Sequence, residues 1–431
     1  MPQTHPREGR RHCIPPAPQP RSDFDLLNVP DTLAVAFWRA LRNVLLWTVT
    51  PEARRARAFR APTSNTLDVY AAAVEDAPEL ARAFETFTEL QQAPEQISAA
   101  DVGRACHLVY AWADQRGLLE AAAHFAEAAA YADPEHPAYA VDAAWSCRRV
   151  HVGGFLGRAA AWYQRAFVLS IHHGSHHDSL RSLTGYGALM QELGNLPEAK
   201  RAYLKAARRA SRTGRKRRAA VAHHYLFALA AEHGEELDAV EHARAAFRLY
   251  PIHDERLPYL AHDYASFLLV RYNAYRPALR LVRRALPKIE QPELIVIAAG
   301  TLAWAAGGAL LAEEFRAAER LAVQMASLYE LHAASALTAV ASGARALGEW
   351  SAVFRYASMA LPIARRRRDT WAETNSLALL AAVETGEPAP PEEMPAARTV
   401  DVSRRLAARL LRWRRRPKSR ASEDHPQGVG V

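Results

Sequence analysis

Leu183–Ala206, LTGYGALMQELGNLPEAKRAYLKA, decides the reading of this chain. It predicts two helices joined by a tight turn at Leu193-Gly194-Asn195. On the second helix Ala199, Tyr203 and Ala206 fall at i, i+4 and i+7, one narrow face of small and aromatic residues. On the first, Gly187 offers a place where a neighbouring helix can approach closely. The frame recurs. Ala121, Phe125 and Ala128 precede it, as do Ala159, Tyr163 and Ala166. Ala239, Ala243 and Ala246 follow, then Ala278, Val282 and Ala285, then Ala318, Ala322 and Met325, then Val353, Ala357 and Ala360. From Ala121 the spacings are 38, 40, 40, 39, 40 and 35 residues. A period this even marks a repeat array. Upstream, Leu108 and Trp112 fit the first helix of a unit, and Ala81 occupies the position of Ala199 in a degenerate opening unit over 64–92.

A single helical hairpin cannot bury its apolar face alone, so neighbours must stack to make a continuous core. Alanine dominates the apolar half of the composition and favours helix. Strand-like alternation of Val, Ile and Thr is nearly absent. These features predict an all-α chain.

The small residue late in the first helix, the alanine–aromatic–alanine face on the second and the proline exits at Pro134 and Pro251 resemble the tetratricopeptide repeat. The resemblance covers about residues 64–385. It is good at 104–137, 183–214 and 220–251 and weaker after 255. It implies a right-handed superhelical α-solenoid of helix-turn-helix repeats, with a longer period than the usual repeat. A HEAT-like solenoid is the alternative. The resemblance further implies a non-catalytic scaffold that binds a protein or peptide in its concave groove.

Charge is unevenly placed. Residues 1–60 carry a net +5 and 398–431 a net +7, while 61–397 carry −3 of the total +9. The basic pI therefore describes the two ends and not the repeat surface. The three cysteines, Cys13, Cys106 and Cys147, are far apart and form no CxxC pair. With no secretory signal at the N-terminus, a cytoplasmic location is expected. Leu33–Val49 is too short, and too broken by Arg39, Arg42 and Asn43, to span a bilayer.

In order, the chain divides as follows. The proline-rich residues 1–22 are expected to be disordered. Residues 23–63 carry capping helices, with Asp31 or Thr32 as N-cap and Leu33, Phe37, Leu41, Val44 and Leu45 on one face. With Arg54, Arg55, Arg57 and Arg60, that segment also fits a membrane surface. The repeats occupy 64–386, closed by a solvated helix over Thr370 to Thr385. A proline-rich linker, 387–398, leads to a basic amphipathic helix over 399–416, and 417–431 should be disordered. On the basic helix Val402, Leu406, Leu410 and Trp413 line one side. Arg404, Arg405, Arg409, Arg412 and Arg415 cover the rest and could engage nucleic acid or anionic membrane.

The register projects Arg148, His151, Arg181, Gln191, His224, Asp263 and Arg271 from first helices into the groove. The set leans cationic and suits an acidic peptide or terminal carboxylate. The lysine and asparagine carboxylate clamp of some tetratricopeptide proteins is not matched, so that activity is not carried over. His172-His173-Gly174-Ser175-His176-His177-Asp178 has metal-ligating residue types but lacks a thiolate or HExxH spacing, and reads as a solvated loop. No phosphate loop, nucleophile elbow or dinucleotide fingerprint is present. No cofactor and no dedicated metal are expected. The oligomeric state is not readable from these residues.

Overall fold

The computed structural model describes residues 13–26, 28–59, 64–150, 155–367 and 369–413. Every regular element among them is helical. Contacts divide the chain into two compact units at Thr213 and Gly214. The first holds α1 Asp31–Val49, α2 Glu52–Ala58, α3 Ser64–Asp76, α4 Ala81–Gln92 and α5 Ala99–Gln115. It continues with α6 Leu119–Ala132, α7 Pro137–Val150, α8 Phe155–His172, α9 His176–Glu192 and α10 Leu196–Arg212. The second holds α11 Lys216–Glu232, α12 Glu236–Leu249, α13 Leu257–Tyr272, α14 Tyr275–Ala285 and α15 Pro292–Gly308. Its remaining helices are α16 Ala312–Leu328, α17 Ala333–Ala346, α18 Trp350–Arg367, α19 Thr370–Thr385 and α20 Ala397–Arg412. Within each unit, helices consecutive in sequence pack as antiparallel pairs in a tetratricopeptide-like array.

The turn between α9 and α10 shows why the pairs form. Gly194 adopts φ +74°, which a side chain would strain. The Asn195 side chain accepts the Glu198 amide at 3.4 Å, and Pro197 sits in the first turn, where a missing N–H costs nothing. Ala199, Tyr203 and Ala206 are all buried. A Cβ on Gly187 would lie 2.6 Å from Tyr203 Cε1, so the glycine makes room for the ring. The same face is buried in the later repeats, including Ala278, Val282 and Ala285, and Val353, Ala357 and Ala360. The register thus continues through the stretch after 255, where the sequence pattern is weaker.

In the first unit α1 packs on α3, α4 and α6. Phe37 meets the rings of Phe84, Trp112 and Phe125 with centroids 5.1–6.3 Å apart. Several expectations need correction. Pro30, not Asp31 or Thr32, stands at the N-cap of α1 and makes no side-chain cap. Leu108 is exposed, whereas Trp112 is buried. In the opening unit the buried face is Ala83, Phe84, Phe87 and Leu90, and Ala81 sits half-buried at the helix start. There the aromatic density of α4 sets the face.

In the second unit α20 lies against α12, α13 and α14. Val402, Leu406 and Leu410 are buried, each worth about 1.5–3 kcal/mol by transfer. The Tyr264 hydroxyl donates to Thr399 O at 3.0 Å. The preceding proline-rich stretch is held by backbone groups: the Glu393 amide donates to Tyr272 O at 2.7 Å, and Arg345 Nη2 to Pro388 O at 2.8 Å. Among the described residues no helix is long and apolar enough to cross a membrane.

Candidate peptide-binding face

The first helices of successive repeats lie side by side and are joined by polar rungs. In the first unit these helices are α5, α7 and α9. Asp142, on α7, holds one partner from each neighbour: His107 Nε2 lies 3.1 Å from its Oδ2, and Arg181 Nη2 donates to its Oδ1 at 2.5 Å. Burial alone would raise the Asp142 carboxyl, but Arg181 and His107 outweigh it and hold the group below the usual carboxylate range. Arg181 also reaches Asp178 at 3.7 Å. Two helical turns further along, Arg149 pairs with Asp114. Arg148 lies 3.5 Å from Glu192 and stands 4.7 Å over the Trp145 ring. Burial pushes the Glu192 carboxyl up, against the opposing pull of Arg148.

In the second unit the rungs are built on histidine. His224 Nε2 lies 2.8 Å from Asp263 Oδ2, and His262 Nδ1 lies 2.9 Å from Asp263 Oδ1. His262 Nε2 reaches Thr301 Oγ1 on α15 at 3.1 Å. His224 Nδ1 also meets the Tyr250 hydroxyl at 3.3 Å. Here too burial opposes ionisation of Asp263, and the two imidazoles overcome it, holding the carboxyl well below its ordinary range. Farther on, Thr338 and Ser376 pair hydroxyl to hydroxyl at 2.9 Å.

The sequence-derived residues therefore separate. Arg148 and Arg181 share the face of α7 and α9, engaged in ion pairs within it. Gln191 accepts from the Tyr203 hydroxyl at 3.1 Å. His151 lies outside the described residues. His224 and Asp263 are bonded to each other in the second unit, and Arg271 is exposed in the last turn of α13, where a cation complements the helix dipole. Sequence reading missed His107, Asp142, Glu192, His262 and Thr301. A usable signal existed: 142 to 181, 224 to 263 and 262 to 301 are each separated by 39 residues, one repeat.

The basic helix α20 spends much of its charge locally. Arg409 donates to Phe247 O and Tyr250 O, both at 2.5 Å, and Arg405 pairs with Asp401 at 3.0 Å. Arg404 and Arg412 are exposed, and Arg415 lies outside the described residues. In the histidine-rich loop Ser175 caps α9: its hydroxyl accepts the Asp178 amide at 3.3 Å and donates to Asp178 Oδ2 at 2.6 Å. Among the described residues no group of three His, Cys, Asp or Glu side chains is placed to hold a metal.

No known family profile and no curated protein matches this sequence. Solved structures similar to it include the Cut9-Hcn1 hetero-tetramer of the APC/C. There the identity is 14%, the match covers 83% of this chain and 65% of that one, and the TM-score is 0.47. The chain thus spans about 65% of the length of that relative. BtubC from P. vanneervenii is 13% identical over 62% of this chain and 92% of its own, with TM-score 0.33. A circular tandem repeat protein is 12% identical over 88% and 98%, with TM-score 0.23.

Proposed function

We propose that this tetratricopeptide-like chain is a non-catalytic scaffold that binds a protein or peptide segment along its first-helix faces. The observation that supports it best is the row of polar groups spaced by one repeat, half-exposed His107 and Arg181 held by the buried Asp142, with Trp145 and Arg148 beside them. Their mutual ion pairs fix each side chain in one rotamer before a ligand arrives, which lowers the ordering cost of binding. The cation-stacked Trp145 in the first unit and, separately, the exposed Arg271 in the second each suit an acidic, extended segment.

A photo-crosslinking residue in place of Trp145 or Arg271 should capture a partner in cell extract. The same residue in place of Arg208 or Arg320, exposed on the second helices α10 and α16, should not. Equal capture from both sets, or none from the first, overturns the reading. The alternative, nucleic-acid or anionic-membrane binding through α20, rests on the outward Arg404 and Arg412. The double variant Arg404→Glu/Arg412→Glu should weaken such binding steeply at low salt; unchanged binding removes that alternative.

A further inference from the structure

Residues 13–26 form neither helix nor strand and run across α6 and α8 with a bend at Ser22, touching that face at several points. Pro15 O accepts from Arg165 Nη1 at 2.7 Å, and Pro18 O accepts from the Tyr131 hydroxyl at 2.9 Å. Arg21 stands 4.6 Å over the Phe155 ring. Phe24 packs edge-on against His124, centroids 5.3 Å apart. Between these contacts Gln19 O accepts from Arg158 Nη1 at 2.8 Å, and the Asp25 amide donates to His124 Nε2 at 3.2 Å. A polyproline II helix has three residues per turn and leaves its carbonyls free, which suits the three-residue spacing of the Pro15 and Pro18 carbonyl contacts ahead of the bend at Ser22. Pro15, Pro16, Pro18 and Pro20 fix φ in that range and reduce the entropy lost on docking.

The receiving surface is built, not incidental. Glu127 is buried and accepts from both Trp162 Nε1 and Arg158 Nε at 2.7 Å, which aims the remaining guanidinium edge at the segment. Arg158 Nη2 in turn donates to the Tyr131 hydroxyl at 2.7 Å, orienting its proton toward Pro18 O. Arg165 is only 9% exposed, and its hydrogen-bond acceptors are carbonyls, those of Pro15 and Pro134. Removing the segment would strip an acceptor from each of Arg165, Arg158 and Tyr131. Water would replace those acceptors once the segment left, so what marks the face is that its donors are already held in place by Glu127 and Pro134 O and aimed at the segment's carbonyls.

We propose that the α6–α8 face is a docking site for extended proline-rich segments of the form Pro-x-x-Pro-x-x-Arg-x-x-Phe. Residues 15–24 fill it as a tethered ligand, which a partner carrying the same pattern displaces. The site is separate from the first-helix face. A short tether keeps the internal ligand at an effective concentration on the order of millimolar, so the closed state prevails until a competitor binds more tightly.

The test uses the full chain and a peptide of residues 13–26 labelled through Cys13. In the variant Pro18→Gly/Arg21→Ala/Phe24→Ala the internal segment keeps its carbonyls but loses the Arg21 and Phe24 ring contacts and the φ restraint of Pro18, while α6 and α8 are unchanged. That variant should bind the peptide at least tenfold more tightly than the intact chain. Adding Tyr131→Phe, which removes one hydroxyl and no packing, should weaken the gain at least threefold. A peptide with Pro15 and Pro18 replaced by alanine should bind at least tenfold less well. Equal affinity of intact and released chains, no binding to the released chain, or indifference to Tyr131→Phe each overturns the proposal. So does a dimer formed by the intact chain and not by the released one, because the segment would then belong to a second copy. Should the triple variant fail to fold, the chain with Phe24→Ala alone gives the same reading.

Discussion

Two sets of first helices, α5, α7 and α9 in the first unit and α15 and α17 in the second, solve one problem in different ways. In α5, α7 and α9 long charged side chains bridge from repeat to repeat, with Asp142 held between His107 and Arg181. In α15 and α17 the backbones themselves approach. A Cβ on Gly300 would lie 2.6 Å from Ala336 O, and one on Gly343 would lie 2.6 Å from Ala303 O. Long side chains need the helices apart, whereas glycine and alanine let main chains meet. The first arrangement leaves a polar face for recognition; the second gives rigidity with little side-chain chemistry. One repeat period thus carries two kinds of seam, and they should fail differently.

The largest effect is expected at the close seam. Gly343→Leu sets side-chain carbon against main chain that cannot yield, and also against Phe315, 3.0 Å from the new Cβ. It should destabilise the second unit by about 3 kcal/mol or more. Thermal unfolding followed by a probe in each unit checks this: the transition of residues 214–413 should fall while that of the first unit holds. Loss of less than about 1 kcal/mol would mean the seam is looser than the geometry implies.

Next is the charged seam. Arg181→Ala leaves the buried Asp142 with His107 as its remaining side-chain partner and should cost about 3 kcal/mol. The double variant Asp142→Leu/Arg181→Met removes the need for a partner and should recover most of that loss. Denaturant midpoints of the two variants decide the matter. If the double variant is as unstable as the single one, the pair matters through its shape rather than its charge.

The contrast also explains what was legible in the sequence. Alanine and aromatic positions such as Ala199, Tyr203 and Ala206 obey helical periodicity inside one repeat, so a short window shows them. Asp142 and Arg181 are an entire repeat apart, and a local reading gives each as a separate groove cation or nothing. Gly187 was visible because its partner Tyr203 is 16 residues away; Gly300 and Gly343 meet main chain from another hairpin and leave no local pattern. Composition also misled at the N-terminus. Few apolar residues over 13–22 suggest disorder, but its free carbonyls are satisfied by Arg165, Tyr131 and Arg158 from more than a hundred residues away.

A smaller effect follows from pH, and it sharpens the comparison because its main acid-sensitive element lies in the first unit. Burial lowers the His124 imidazole to about 4, with Arg21 adding to the shift and Asp23 and Asp25 opposing it. The folded ring is therefore neutral while the unfolded ring, near 6.5, takes up a proton. The unfolded state binds more protons between those values, so stability is greatest above about pH 6.5 and declines as pH falls toward about 4. From neutral pH to pH 5 the loss should be about 2 kcal/mol, and His124→Gln should remove that slope by difference. The depressed carboxyls of Asp142 and Asp263 act lower: their contribution is intact above about pH 4 and is lost as pH falls through their folded values. Exchange of the Asp25 amide locates the first stage, since a protonated His124 no longer accepts that N–H. Protection that falls away as pH drops toward about 4, before the body of either unit unfolds, is the expected result. Protection that persists until global unfolding would mean that the segment is held by Arg165, Tyr131 and Arg158 alone.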